Sequence, residues 1–212
     1  MNLLNFFFLH RAEIFESTIE HVWLTGAAMC LAILIGVPLG ILVTRKPWLA
    51  NPVLGSANVA ETIPSLALFG FLLPIPWLGV RADRLAIFAL TLYALLPIIR
   101  NTVAGIGAVD PAVREAARGM GMTDRQILLH VEIPLSLSTM LAGVRIATVL
   151  TIGIATIAAA VGAGGLGEFI FRGLAMVNNQ LILAGAIPAA LLAILADVLL
   201  GLLGRRLRPI RS

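Results

Sequence analysis

Long apolar runs alternate with short polar segments along most of the chain. Five runs carry at most one charged residue, and they cover residues 22–44, 52–74, 85–99, 146–167 and 181–204. The only charges within them are Glu61 in the second run and Asp197 in the fifth. An α-helix needs about 20 apolar residues to cross a bilayer. The pattern therefore predicts an all-α integral membrane protein with about five transmembrane helices.

The composition supports a membrane protein and restricts its organisation. Of the 212 residues, 59% are hydrophobic and 12% are charged, and the mean hydropathy is +1.00, which is outside the range of soluble domains. No repeat or long linker divides the chain, so residues 1–212 are expected to form one transmembrane domain. The N-terminal sequence MNLLNFFFLHRAEIFE lacks a basic region and a long apolar run. It is therefore predicted to be an interfacial segment and not a signal peptide.

Basic residues are distributed unevenly between alternate loops. One set of loops holds eleven of the 15 lysines and arginines and the other set holds four. Because cytoplasmic loops carry the excess of positive charge, the N-terminus is predicted to be outside and the C-terminus inside. The basic residues flank the spans and form no patch with interleaved aromatic residues, so no nucleic-acid partner is expected.

The polar segment 108–136, between the third and fourth predicted spans, has strong local helix signals. The Asp-Pro pair at 110–111 is typical of a helix start, and Gly121 is suited to a left-handed turn after that helix. Thr-Asp-Arg-Gln at 123–126 is a capping box that starts a second short helix, and Pro134 is predicted to end it. Such a rigid cytoplasmic element suits docking to a soluble partner, whereas the alternative is a solvated loop folded against its own spans.

The same segment resembles the EAA motif of bacterial ABC import permeases. The motif is an E-A-A triplet, a glycine four residues later and an I-x-L-P sequence, which is VEIP in this chain. The resemblance implies the fold of a binding-protein-dependent permease of the type I importers, in which this loop enters a groove of a cytoplasmic ATPase. The residues it places at that contact are Glu115, Ala116, Ala117, Gly121 and Pro134.

Four further segments resemble permeases of the osmoprotectant, or quaternary-amine, uptake group. They are ETIPSLALFGFLLPIP from Glu61, YALLPIIRNT from Tyr93, EAARGMGMTDRQIL from Glu115 and VGAGGLGEFIFRGL from Val161. The resemblance implies import of glycine betaine, choline or carnitine across the bacterial inner membrane. It also implies three protein partners: an ATPase dimer, a second permease copy or a paralogue, and a separate extracytoplasmic solute-binding protein.

Two alternative functions are weighed against this one. The first is an ABC permease for another small polar solute, such as methionine or another amino acid. The second is an integral-membrane enzyme, but His10, His21 and His130 are scattered and no catalytic motif is present, so no catalytic, metal or cofactor site is expected. Without a P-loop sequence, ATP hydrolysis is assigned to a separate subunit.

The G-x-G-x-x-G sequence at 162–167 does not indicate a dinucleotide site, because a predicted transmembrane helix precedes it where that site needs a strand. It is interpreted as an outward-side turn into a re-entrant or gate segment near Glu168 and Arg172. The alternative is a plain loop.

Polar residues inside the spans are candidates for the translocation route. Asn58, Glu61 and Thr62 lie in the second span, and Tyr93 lies in the third. Ionisable groups in spans are costly in lipid and usually face protein or water. The alternatives are that Glu61 pairs with an arginine or faces a subunit interface, and that Tyr93 only packs. Asp197 is predicted to pair with the arginines of the C-terminal tail.

Overall fold

The computed structural model describes residues 3–206, and within that range it contains helices and turns but no strand. Five helices precede the central one: α1 (Leu3–Leu9), α2 (Arg11–Arg45), α3 (Ala50–Thr62), α4 (Ser65–Leu72) and α5 (Pro76–Gly79). The others are α6 (Ala82–Gly107), α7 (Pro111–Gly119), α8 (Asp124–Ile127), α9 (Ile133–Ala158), α10 (Gly167–Ala175) and α11 (Asn179–Arg206). Short 3₁₀ turns occupy Pro47–Leu49 and Ala159–Val161, and a π-helical segment occupies Leu128–Glu132.

Four helical segments of the described chain are long and apolar enough to cross a membrane. They are Arg11–Arg45, Ala82–Gly107, Asp124–Val161 and Asn179–Arg206. Helix α6 lies at the centre, where α2, α3 and α9 pack against it, and α11 packs on α9 and α10. The outer face of α11 is largely exposed.

Glycines allow the central helices to approach closely. A Cβ at Gly40 of α2 would lie 2.6 Å from the Cβ of Thr102 on α6. A Cβ at Gly143 of α9 would lie 2.7 Å from the carbonyl oxygen of Pro97. Without a hydrophobic driving force between helices in lipid, such close backbone packing is a main source of association.

The predicted second span, 52–74, is not one continuous helix. Helix α3 ends at Thr62 and α4 begins at Ser65, with Ile63 extended between them at φ −70° and ψ 126°. Proline disfavours the helical conformation of the preceding residue and lacks an N–H group, so Pro64 sets the position of the break. This broken pair and the four long helices agree with the predicted number of about five spans.

The prediction that Pro134 ends the second loop helix is wrong. The helical segment continues from Asp124 to Val161, so the fourth span also begins well before the predicted Ile146. Pro134 stands in the first turn of α9, directly after the π-helical segment Leu128–Glu132. Proline is tolerated in a first helical turn, and a π segment locally changes the backbone hydrogen bonding, so the ring interrupts the regular pattern without ending the helix.

The predicted partner of Asp197 is also wrong. Asp197 pairs with Arg145 of α9, with Nε to Oδ1 at 2.5 Å and Nη2 to Oδ2 at 2.6 Å. Helical side chains lean toward the N-terminus of their helix, which directs Asp197 away from the C-terminal arginines. Arg208 and Arg211 of the tail lie outside the described residues. Gly201, one turn after Asp197, leaves room for the guanidinium, because a Cβ there would lie 3.2 Å from Arg145 Nη1.

Candidate functional site

The loop that contains the E-A-A triplet begins as a well-capped helix. The Asp110 carboxylate accepts a hydrogen bond from the Ala112 N–H at 2.8 Å, and Pro111 occupies the first turn of α7. Glu115 and Ala116 are exposed, whereas Ala117 is buried. The triplet therefore presents two of its three residues to the surroundings and anchors the third against the protein.

A glycine corner joins α7 to α8. Gly121 has φ +83°, and its N–H donates to the Arg118 carbonyl at 2.9 Å. The capping box follows, since the Thr123 N–H donates to Gln126 Oε1 at 2.8 Å and the Gln126 N–H donates to Thr123 Oγ1 at 3.4 Å. The cap, the corner and the capping box therefore lie where the sequence predicts them.

A cluster of three charged residues, Arg45, Arg114 and Glu132, fixes this loop to the helix bundle, and we call it the cytoplasmic ion cluster. Glu132 is only 1% exposed and forms ion pairs with Arg45 at the end of α2 and with Arg114 of α7, whose Nε lies 2.9 Å from Oε1. Arg114 Nη2 also donates to the Ile106 carbonyl at 2.5 Å. The cluster connects α2, α6 and α7 to the π-helical start of the fourth span.

Sequence reasoning missed the cytoplasmic ion cluster. Arg45 and Glu132 are 87 residues apart, so no local pattern pairs them. The one available signal was the position of Glu132, next to an apolar stripe and directly before the VEIP isoleucine.

The break in the second span is held by Tyr93. Its hydroxyl donates to the carbonyl oxygen of Ile63, the residue between α3 and α4. Tyr93 is 6% exposed and packs in a core cluster with Leu68 and Phe69 of α4. Because Ile63 is extended and is followed by a proline, its carbonyl oxygen lies outside the regular helical hydrogen bonding and needs another donor. In this conformation Tyr93 therefore stabilises the break and does not lie on an open surface.

The other polar residues of this region form a largely exposed face on α3 and α6, in which only Asn58 is half-buried. We define the polar face as Asn58, Glu61, Thr62 and Arg100. Arg100 Nη2 donates to Asn58 Oδ1 at 2.6 Å, and Thr62 Oγ1 donates to the Val59 carbonyl at 2.8 Å. Glu61 is exposed, and its carboxylate has no hydrogen-bond or ion-pair partner among residues 3–206. The sequence predicts Asn58, Glu61 and Thr62 as candidates for the translocation route, but it does not predict that Arg100 lies beside them.

The glycine-rich sequence at 162–167 forms a turn at the opposite end of the molecule. Gly162, Gly164 and Gly165 have φ of +80°, +82° and +79°, and the turn leads into helix α10. The Gly165 N–H donates to Glu20 Oε2 at 3.0 Å, and Arg172 of α10 pairs with Glu13 at 2.5 Å. A 3₁₀ turn and a long helix precede these glycines, and they contact α2 side chains, so the geometry is not that of a dinucleotide site.

A bundle of membrane-crossing helices with one broken span and a rigid two-helix loop at one end is the architecture of a transporter permease. The chain belongs to the family described as the binding-protein-dependent transport system inner membrane component, whose model matches residues 32–209. It is therefore a multi-pass inner-membrane transport subunit and not an enzyme.

The relatives of this chain include two permeases for small solutes. It is 46% identical over 207 residues to the carnitine transport permease protein OpuCB of Listeria monocytogenes, covering 98% of this chain and 94% of the relative. It is 47% identical over 188 residues to the osmoprotectant import permease protein OsmW of Salmonella typhimurium, covering 86% of each. These matches confirm the sequence-based assignment to the permeases.

One solved structure with the same fold is a chain of the MetNI methionine ABC transporter in an inward-facing conformation. The TM-score is 0.82 over 92% of this chain and 96% of that chain. At 24% identity this match supports the fold alone.

Proposed function

We propose that the chain is the permease subunit of an ATP-driven importer for small osmoprotectants of the quaternary-amine class, such as glycine betaine, choline or carnitine. The observation that carries the proposal is the 46% identity to a carnitine permease over 98% of the chain. The charge pattern of the spans is compatible with it, since no ring of like charges is present for a strongly charged solute. Methionine and other amino acids are the competing cargoes.

The cargo is tested by uptake of labelled glycine betaine, choline, carnitine and methionine. The permease and its operon partners are restored together in cells that lack their own transporters for these solutes. Uptake of at least one quaternary amine, without methionine uptake, is the expected result. Uptake of methionine alone would contradict the cargo and leave the permease assignment in place.

We further propose that the loop from Pro111 to Ile127 docks in the groove of a cytoplasmic ATPase dimer. Glu115 and Ala116 would face the ATPase, Ala117 would hold α7 against the permease, and Gly121 would set the angle between the two short helices. Pro134 belongs to the proposed coupling element as well, since it lies in the first turn of α9, directly after the loop. The support is geometric: the loop is capped at both helix starts, and the cytoplasmic ion cluster ties it to α2 and α6.

A second permease copy or a close paralogue is expected to complete the translocation route. Asn58, Glu61 and Thr62 line the route in this proposal, and Tyr93 supports it by stabilising the break. Charged groups are expensive in contact with lipid, so the polar face requires water or protein beside it. A separate solute-binding protein would deliver the solute from outside.

The orientation follows from the same proposal and is tested by cysteine labelling. In a Cys30→Ala background, Met120→Cys on the loop should react only with reagents supplied from the cytoplasm. Val80→Cys, before α6, should react from outside. Both positions are well exposed, at 76% and 80%, so accessibility is not limiting. The reverse pattern would overturn the predicted outside N-terminus.

A further inference from the structure

The polar face lies at a depth where charge is not expected without a function. Tyr93 is near the middle of the 26-residue helix α6, and its bond to Ile63 places the break of the second span at the same level. Arg100 is seven residues further along α6, and Gly107 ends the helix after seven more. At a rise of 1.5 Å per residue, Arg100 is about 10 Å from each of these points. Glu61, two residues before Ile63, lies at a similar depth to the break.

The two charges of the polar face are both available to a ligand. Glu61 and Arg100 are exposed, and Glu61 has no polar partner in the described part of the chain. Glu61 does not hold the break together, because Tyr93 performs that role. An ionisable residue of this kind within a membrane segment faces a water-filled path or another protein.

The spacing of the two charges suits a ligand with two opposite charges. Asn58 and Glu61 are three residues apart, so they lie next to each other on one face of α3. Arg100 donates to Asn58 at 2.6 Å but forms no ion pair with Glu61. The guanidinium is thus held at Asn58, which lies about one helical turn before Glu61 on α3, without pairing with the Glu61 carboxylate.

The chemistry of each charge fits a different end of a zwitterion. A quaternary ammonium group has no hydrogen to donate, so a carboxylate attracts it through charge alone. Glu61 also lies in the last turn of α3, where the helix carbonyls add partial negative charge. An arginine binds a carboxylate through paired N–H donors.

We propose that Glu61 receives the quaternary ammonium group of the solute and that Arg100, positioned by Asn58, receives the carboxylate of zwitterionic solutes. The two residues would then distinguish glycine betaine and carnitine, which have a carboxylate, from choline, which has none. This inference rests on the proposed function and names the determinants of selectivity within the permease itself.

The test measures the maximal uptake rates of glycine betaine and choline by the complete transporter, with the solute-binding protein in excess. Arg100→Gln should lower glycine betaine uptake about tenfold or more and change choline uptake less than about threefold, because only the zwitterion loses a charge-assisted hydrogen bond. Glu61→Gln should lower the uptake of both solutes about tenfold or more, since both carry the ammonium group.

The controls separate charge recognition from folding and assembly. Arg100→Lys keeps the positive charge and should retain more glycine betaine uptake than Arg100→Gln. Glu16→Gln makes the same change as Glu61→Gln at an exposed site near the start of α2 and should transport normally. Co-purification of the ATPase with each variant should be unchanged.

Several outcomes would overturn the inference. The first is an equal loss of choline and glycine betaine uptake in Arg100→Gln. The second is loss of the co-purifying ATPase from both Arg100→Gln and Glu61→Gln, which would make the polar face a subunit interface. A third outcome applies if the wild type carries glycine betaine but not choline. In that case, glycine betaine uptake by Glu61→Gln at the same rate as by the control Glu16→Gln would overturn the inference. A wild type that carries no quaternary amine would instead disprove the proposed function.

Discussion

The cytoplasmic ion cluster and the polar face use the same residue types in opposite ways. In the cluster, Glu132 is buried and lies between two arginines. On the polar face, Glu61 is exposed and has no partner within the described chain, although Arg100 is held nearby. One carboxylate is therefore fully committed to the fold, whereas the other is available to something outside it.

This difference predicts where a change of charge affects structure and where it affects transport. Removing one partner of a buried ion pair leaves an uncompensated charge in a poorly solvated place, which is strongly destabilising. Removing an exposed, unpaired charge has little effect on the fold. The same carboxylate-to-amide substitution at Glu132 and at Glu61 therefore tests the comparison directly.

The largest effect is expected for Glu132→Gln. Arg45 and Arg114 lose their common counter-ion, which should destabilise the permease by about 2–4 kcal/mol, since both guanidiniums keep some solvent exposure. At about 2–4 °C for each kcal/mol in a chain of this size, the unfolding midpoint of the purified complex should fall by at least about 4 °C. Co-purification of the ATPase should fall as well, because α7 loses its anchor. A midpoint within 2 °C of the wild type would show that the cluster is not structural.

A smaller loss is expected for Gly121→Ala. A side chain in the left-handed region costs about 1–2 kcal/mol, and at Gly121 this is a backbone effect, since an added Cβ would meet no described atom within 4 Å. Gly119→Ala is the matched control. Gly119 does not have a positive φ, and an added Cβ there would likewise meet no described atom within 4 Å. Gly121→Ala should weaken ATPase binding and uptake, and Gly119→Ala should do neither. Equal behaviour of the two variants would argue against the corner as a determinant of docking.

Tyr93→Phe should destabilise the permease by about 1–3 kcal/mol, because it leaves the Ile63 carbonyl without its donor. The unfolding midpoint should fall by about 2 °C or more. Thr62→Val serves as the control, since the Thr62 hydroxyl only bonds within its own helix. If Tyr93→Phe retains the wild-type midpoint, another group must donate a hydrogen bond to the Ile63 carbonyl.

The smallest effect on stability is expected for Glu61→Gln, which should change the free energy of unfolding by less than about 0.5 kcal/mol. Its unfolding midpoint should match the wild type within experimental error, in contrast to Glu132→Gln. A drop comparable with that of Glu132→Gln would mean that Glu61 is paired in the assembled transporter.

The sequence predicted the cytoplasmic loop well because its structure is decided locally. The Asp110 cap, the left-handed Gly121 and the capping box from Thr123 to Gln126 each depend on residues a few positions apart. The break of the second span is decided just as locally, because Pro64 restricts the residue immediately before it.

Contacts between distant helices could not be predicted in this way. Arg145 and Asp197 are 52 residues apart, and their pairing depends on how α9 and α11 are rotated against each other. Glu132 is the buried last residue of the π-helical segment before Pro134, and a π segment changes the register of the residues around it. Hydrophobic periodicity alone does not specify such register changes.

The pair between Arg145 and Asp197 has a consequence for how the chain is made. Ribosomes complete α9 before α11, so Arg145 enters the membrane before its counter-ion has been synthesised. A lone arginine or aspartate at the centre of a membrane helix is unfavourable by about 2.5–3.5 kcal/mol on insertion scales. The last helix therefore brings the neutralising charge with it, and a nascent chain that stops before Asp197 leaves Arg145 without its ion-pair partner.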